Sequence, residues 1–106
     1  MIGHTNLSIR IPSDTPKPLS EPLFEAAREL GLSRHFGSAK SPIIDDHAPL
    51  QLAGVPSIDI IGDFTSSTWW HTPKDNIHVL SAESLDASTR VTLGLLDRLF
   101  KSTPPR

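Results

Sequence analysis

Leu7-Ser8-Ile9-Arg10-Ile11, followed after a proline-rich loop by Ser20-Glu21-Pro22-Leu23-Phe24-Glu25-Ala26-Ala27-Arg28-Glu29-Leu30-Gly31, decides the fold class of this chain. The first five residues alternate apolar and polar, the period of a half-buried strand. Pro12, Pro16 and Pro18 end that strand and hold the next loop extended. Ser20 is then the expected N-cap of a helix, with Glu21 at its positive end and Pro22 inside the first turn. Leu23, Ala26, Ala27 and Leu30 share one face at helical spacing, and Gly31 is a natural stop. A strand feeding an amphipathic helix predicts an α/β domain.

Outward from this unit the reading is uneven. Ser33 to Pro42 fits neither period, with Phe36 its one large apolar residue. Val55-Pro56-Ser57-Ile58-Asp59-Ile60-Ile61 is expected to be a buried strand with proline tolerated at its start. Gly62 to Asp75 is irregular and carries both tryptophans. Ser81 should cap the closing helix, in which Leu85, Val91, Leu95, Leu96, Leu99 and Phe100 form the apolar face and Arg98 and Lys101 suit the C-terminal end. Thr103 to Arg106 reads as a frayed tail. The expected order is strand, helix, undefined, strand, helix, with nearly parallel strands and helices on both faces.

Composition narrows the function classes. The 106 residues carry 10 Lys and Arg against 12 Asp and Glu, a net charge of -2 without a basic run, so no nucleic-acid partner is expected. No cysteine is present, so any metal must be held by His, Asp or Glu. No apolar run approaches the ~18 residues of a spanning helix, so no membrane partner is expected. The first residues lack a signal-peptide pattern, and localisation stays open. A signal upstream of Met1 would imply an extracellular or periplasmic protein. Ser66, Ser67 and Thr68 lack the flanking glycines of a nucleophile elbow, and the glycines are too scattered for a phosphate loop.

Three clusters remain. Asp45-Asp46-His47 brings two carboxylates beside an imidazole, which suits a metal, an oriented base, or a solvated loop with Asp46 capping a short turn. Asp59 lies inside an isoleucine run on the face of Ser57 and Ile61, so it either faces solvent or finds a buried partner. Trp69-Trp70-His71-Thr72 places an imidazole behind two aromatic rings, as a metal ligand at a pocket rim or as a loop pinned by tryptophan burial. Asp75 is either an acceptor for that imidazole or a turn former with Asn76. His4, His35 and His78 read as surface or packing residues.

Ile44-Asp45-Asp46-His47-Ala48-Pro49-Leu50, Ala53-Gly54-Val55-Pro56, Trp70-His71-Thr72-Pro73-Lys74-Asp75 and Leu80-Ser81-Ala82-Glu83-Ser84-Leu85 occur in one order. Together they resemble the C-terminal third of the zinc-dependent aminopeptidases of clan MH and of the related glutaminyl-peptide cyclotransferases. The resemblance runs from Met1 to about Phe100. It implies a fragment of a three-layer α/β/α zinc-exopeptidase domain with a mixed, mostly parallel sheet, residues 1–102 being its C-terminal portion. His71 would then be a zinc ligand, Trp70 would line the substrate pocket, and Asp45 and Asp59 would be catalytic hydrogen-bonding residues. Some animal cyclotransferases carry His at the position of Asp59, so two carboxylates there fit bacterial members better; buried together, they would share a proton.

The resemblance further implies one or two zinc ions in the complete enzyme and a peptide substrate with a free N-terminus. Met1-Ile2-Gly3 corresponds to the residues just after a functional Asp of the family. That Asp, a second zinc-binding Asp and the Glu base lie in a missing N-terminal part of the domain, which is the expected partner. The chain alone is therefore expected to be inactive. The leading expectation is the C-terminal portion of a zinc-dependent aminopeptidase hydrolysing N-terminal peptide bonds; the alternatives are a glutaminyl-peptide cyclotransferase, or a non-catalytic truncated homologue kept as a binding or remnant module.

Overall fold

A computed structural model describes residues 1–102; the expected frayed tail at 103–106 lies outside the described residues. The elements are β1 (Ile9–Ile11), α1 (Lys17–Glu29), a 3-10 turn (Ser33–His35), β2 (Phe36–Ser38), α2 (His47–Leu52), a second 3-10 turn (Ile77–Val79) and α3 (Ala82–Ser102). β1 and β2 pair in parallel, Ile9 opposite Phe36 and Ile11 opposite Ser38. The class is α/β, as expected. β2 is the strand hidden in the stretch that fits neither period.

Alternation does its expected work in β1. Ile9 and Ile11 are completely buried, while Arg10 between them is half-buried. The same core takes Leu23, Ala26 and Ala27 from α1, Phe36 from β2, and Ala87, Val91 and Leu95 from α3. The two helices therefore pack on each other and on the Ile9–Ile11 face of the sheet. Their crossing is close because Gly94 meets Ala26: a Cβ at Gly94 would lie 2.9 Å from that of Ala26. Arg98 closes the contact from α3, its Nη2 2.6 Å from Glu29 Oε2.

Three expectations need correction. α1 begins at Lys17, not after Ser20: Pro16 occupies the N-cap position and accepts from the amides of Leu19 and Ser20. Pro18 sits in the first turn, where no amide is needed, and this displaces Pro22 to the helix interior. The stop at Gly31 holds. Its φ is +70°, and the amides of Gly31 and Leu32 return to the carbonyls of Arg28 and Ala27 in a Schellman arrangement.

The run Val55–Ile61 forms no strand ladder. Pro56 has no amide to give, and the Ser57 carbonyl is taken by Gln51 Nε2. Only its end reaches β1: Arg10 donates to Ile61, Asp63 donates to Ser8, and Gly62 bridges Ile9 in antiparallel sense. Finally, the apolar face of α3 divides in two. Val91 and Leu95 are buried, whereas Leu85, Leu93, Leu96 and Phe100 form an exposed stripe. Ser81 does cap α3, its Oγ accepting from the Ser84 amide at 3.0 Å.

Candidate active site

Asp45 and Asp59 are fourteen positions apart in the sequence, and the fold brings them together. The amide of Ala48 donates to the Asp45 carbonyl and starts α2 immediately after the loop. The Asp46 side chain makes no capping bond, although the residue stands at the N-cap position. Instead the Asp46 amide donates to Asp45 Oδ1 at 2.9 Å. Gln51 of α2 ties this helix to the returning chain at Ser57, and two residues later Asp59 faces the Asp45 carboxyl.

The two carboxyls are driven apart electrically. Burial pushes Asp59 up to about 6, and the hydrogen bond with Asp45 and the charges of Asp45 and Asp46 push the same way. Asp45 moves below the usual carboxylate range, held there first by the Asp46 amide and then by the hydrogen bond from Asp59. One ionised and one proton-bearing carboxyl is what a close pair must adopt when both cannot ionise.

The imidazole of the Asp45-Asp46-His47 cluster also reaches Asp59, a contact that its sequence does not announce. His47 is buried, its side chain 5% exposed, with Nδ1 3.5 Å from Asp59 Oδ2. Its sequence neighbours give no sign of this burial, because it lies at the start of a six-residue helix of mixed character.

The second cluster lies in the loop before α3. Trp70 is sandwiched between Phe64, with ring centroids 4.6 Å apart, and His71, at 4.0 Å and 23° between planes. Trp69 turns the other way and meets His4 at 5.7 Å. His71 is exposed and adopts φ +57°, an orientation that the loop imposes on an imidazole open to solvent. Asp75 is an exposed turn residue whose amide donates to Thr72.

A cleft of about 660 Å³ lies at the C-terminal ends of β1 and β2, lined in part by Arg10, Lys40, Ile44, Asp63 and Phe64. Ile44 adjoins Asp45 in sequence and Phe64 meets Trp70 ring to ring, but none of Asp45, Asp59, Trp70 and His71 lines the cleft itself. Its place beyond the carboxyl ends of parallel strands is where α/β folds keep their sites. Asp63 on its wall is held below the usual range by Ser66 and Thr65, whose hydroxyls donate to it.

The packing histidines have definite partners. His4 is buried and accepts from the Ser8 amide through Nε2, and burial lowers its pKa. His35 Nδ1 meets the Leu7 carbonyl at 2.9 Å, while His78 is exposed.

A model of peptidase family M28 matches residues 1–96. The chain belongs to peptidase family M28. Among solved structures it is similar to a glutaminyl cyclase from an Acidobacteriales bacterium, at 27% identity over 97% of this chain with a TM-score of 0.87. It is also similar in fold to the glutaminyl cyclase of Porphyromonas gingivalis, at 24% identity over 92% of this chain with a TM-score of 0.76. The chain spans only 38% and 40% of those two proteins. No match is found among curated proteins.

The family resemblance implies zinc, and the side chains here meet that implication only in part. His71 presents one accessible imidazole, a suitable nitrogen donor. Among the described residues no three His, Asp or Glu side chains gather to hold a metal. One imidazole is not a zinc site.

Proposed function

We propose that this M28 chain is the C-terminal portion of an enzyme performing acyl transfer at the free N-terminus of a peptide, working with an N-terminal portion that supplies the rest of the site. The observation that carries the reading is the Asp45–Asp59 pair, one carboxyl ionised and its neighbour able to hold a proton up to about pH 6. Such a pair can take a proton from an attacking group and return it to a leaving group. Trp70, flanked by Phe64, offers an aromatic wall for the substrate side chain. His71 would contribute one ligand to zinc, whose role when bound is to polarise the carbonyl under attack.

Two reactions use these parts. In an aminopeptidase, the reading that the family assignment supports, water attacks the first peptide carbonyl and the shortened peptide leaves. In a glutaminyl cyclotransferase, the reading that the likeness to the Acidobacteriales cyclase supports, the substrate's own α-amine attacks its side-chain amide. The amine loses a proton, the amide nitrogen gains one, and ammonia leaves. Both reactions leave the pair with the proton count it began with.

The test is a chimera in which this chain replaces the matching C-terminal segment of the Acidobacteriales cyclase. It is assayed with a glutaminyl peptide for ammonia release and with an aminoacyl anilide for hydrolysis. Turnover of either substrate, lost by at least a hundredfold in Asp45→Asn and His71→Ala, is expected. A folded chimera as active in those variants as without them would refute the site assignment. The isolated chain is expected to turn over neither substrate.

A further inference from the structure

Two buried polar atoms face each other across 3.5 Å, and neither has a hydrogen-bond partner: Nδ1 of His47 and Oδ2 of Asp59. Buried donors and acceptors left unmade are unfavourable, and 3.5 Å lies only slightly beyond the normal N–H···O range. A small rotation of either side chain closes the gap. Asp59 is thus addressed from two sides, by the Asp45 carboxyl and by an imidazole that α2 fixes by burial.

We propose that His47 is a positioning residue: its Nδ1–H holds Oδ2 of Asp59, so that the proton of the acid pair lies between Asp59 and Asp45. The proposal deepens the reading above, since it says how the fold orients the pair assigned to proton transfer there. Its chemistry is local and requires no turnover. A neutral imidazole has one N–H, so the contact demands the Nδ1–H tautomer. A donor aimed at a carboxylate favours its ionised form, so loss of His47 should make Asp59 hold its proton more tightly. The charged groups acting on the pair are Asp46 from the loop before α2, His47 from α2 itself, and the Met1 amine, which acts on Asp45.

The experiment uses the 106-residue chain. Long-range proton–nitrogen NMR at pH 7.5 reads the tautomer of His47, assigned by its disappearance in His47→Asn. The Nδ1–H form is expected, and the Nε2–H form overturns the proposal. Carbon-detected titration then follows the Asp59 carboxyl, assigned with Asp59→Asn. In His47→Leu the midpoint should rise by about half a pH unit or more. In His47→Asn, whose amide puts an N–H near the Nδ1 position, it should stay within about 0.3 unit of the parent. An unmoved midpoint in His47→Leu overturns the proposal, as does a His47→Asn midpoint that follows His47→Leu. Should His47→Leu not fold, the tautomer and the His47→Asn titration decide. An inactive chimera leaves these readouts untouched, so failure of the catalytic reading and failure of the positioning role are distinguishable.

Discussion

Replacing Asp59 by Asn should stabilise the chain at pH 8 and leave it unchanged below about pH 4. Asp59 moves from an ordinary 3.8 in the unfolded chain to about 6 in the fold, because burial and the neighbouring Asp45 disfavour its charge. Between these values the folded state binds more protons than the unfolded one, so stability falls as pH rises. The contribution is fully present below 3.8 and lost as pH passes through about 6. A shift of about 2 units corresponds to about 3 kcal/mol at 1.36 kcal/mol per unit.

That figure is a ceiling, since Asp45 shifts the opposite way in the same pair and recovers part of it. The Asp59 side chain is 17% exposed, so screening is modest, and the opposing shift of Asp45 leaves a net effect of about 1–2 kcal/mol. Asn keeps the shape of the protonated acid, offers N–H to Asp45 and accepts from His47. Urea unfolding at half-unit pH steps, followed by the fluorescence of Trp69 and Trp70, measures the difference between parent and variant. A variant no more stable than the parent at pH 8, or a difference that does not shrink towards pH 4, would refute the argument. The comparison matters because Asp63, depressed by Ser66 and Thr65 in parent and variant alike, adds a slope of opposite sign to both curves, and the difference between them removes it.

Other perturbations test the packing and the loop. Gly94→Ala should destabilise by about 1–2 kcal/mol in urea unfolding, because crowding against Ala26 outweighs the gain in helix propensity of about 1 kcal/mol. Ser66→Ala should raise the Asp63 pKa towards the ordinary carboxylate value by carboxyl NMR, and Thr65→Ala should raise it less. The stability that Asp63 contributes is present above that ordinary value and lost as pH falls through the depressed one, so Ser66→Ala should narrow the acid-sensitive part of the curve. At His71, where φ is +57°, thermal unfolding should find His71→Gly more stable than His71→Ala by about 1 kcal/mol.

What the residues disclosed about the fold depended on which force the pattern reports. β1 was legible because Ile9 and Ile11 bury one face while Ser8 and Arg10 do not, and the cap at Ser81 was legible because a hydroxyl there has one obvious amide to accept. β2 was not, since Phe36-Gly37-Ser38 pairs through its backbone and buries a single large side chain. Gly37 is open to the Arg10 side chain, whose Nη1 would stand 3.0 Å from a Cβ there. The error at Val55–Ile61 has the same root. Apolar residues report burial, and Ile58 and Ile60 do pack against the core, but pairing needs free amides and carbonyls facing a neighbour.

The site followed a similar division. Local spacing left Asp45 and Asp59 each with an ordinary reading, and it was the resemblance of the whole motif series that placed them together. Nothing near His47 in sequence predicts that α2 buries it against Asp59. On α3, Leu85, Leu93, Leu96 and Phe100 fall within about 80° of the helix circumference, on a side turned away from Val91 and Leu95. Ile44, Leu52 and Ile77 are exposed elsewhere. A helix apolar on two sides is the pattern of one packed on two sides. The Cα radius of gyration, 14.4 Å against roughly 13 Å for a compact domain of this length, points the same way. The proposed N-terminal portion would then have two tasks in one act of packing: covering this apolar surface, and bringing further ligands towards His71. A variant of Leu93 or Phe100 that weakens the first should weaken the second, although neither side chain belongs to the assigned site.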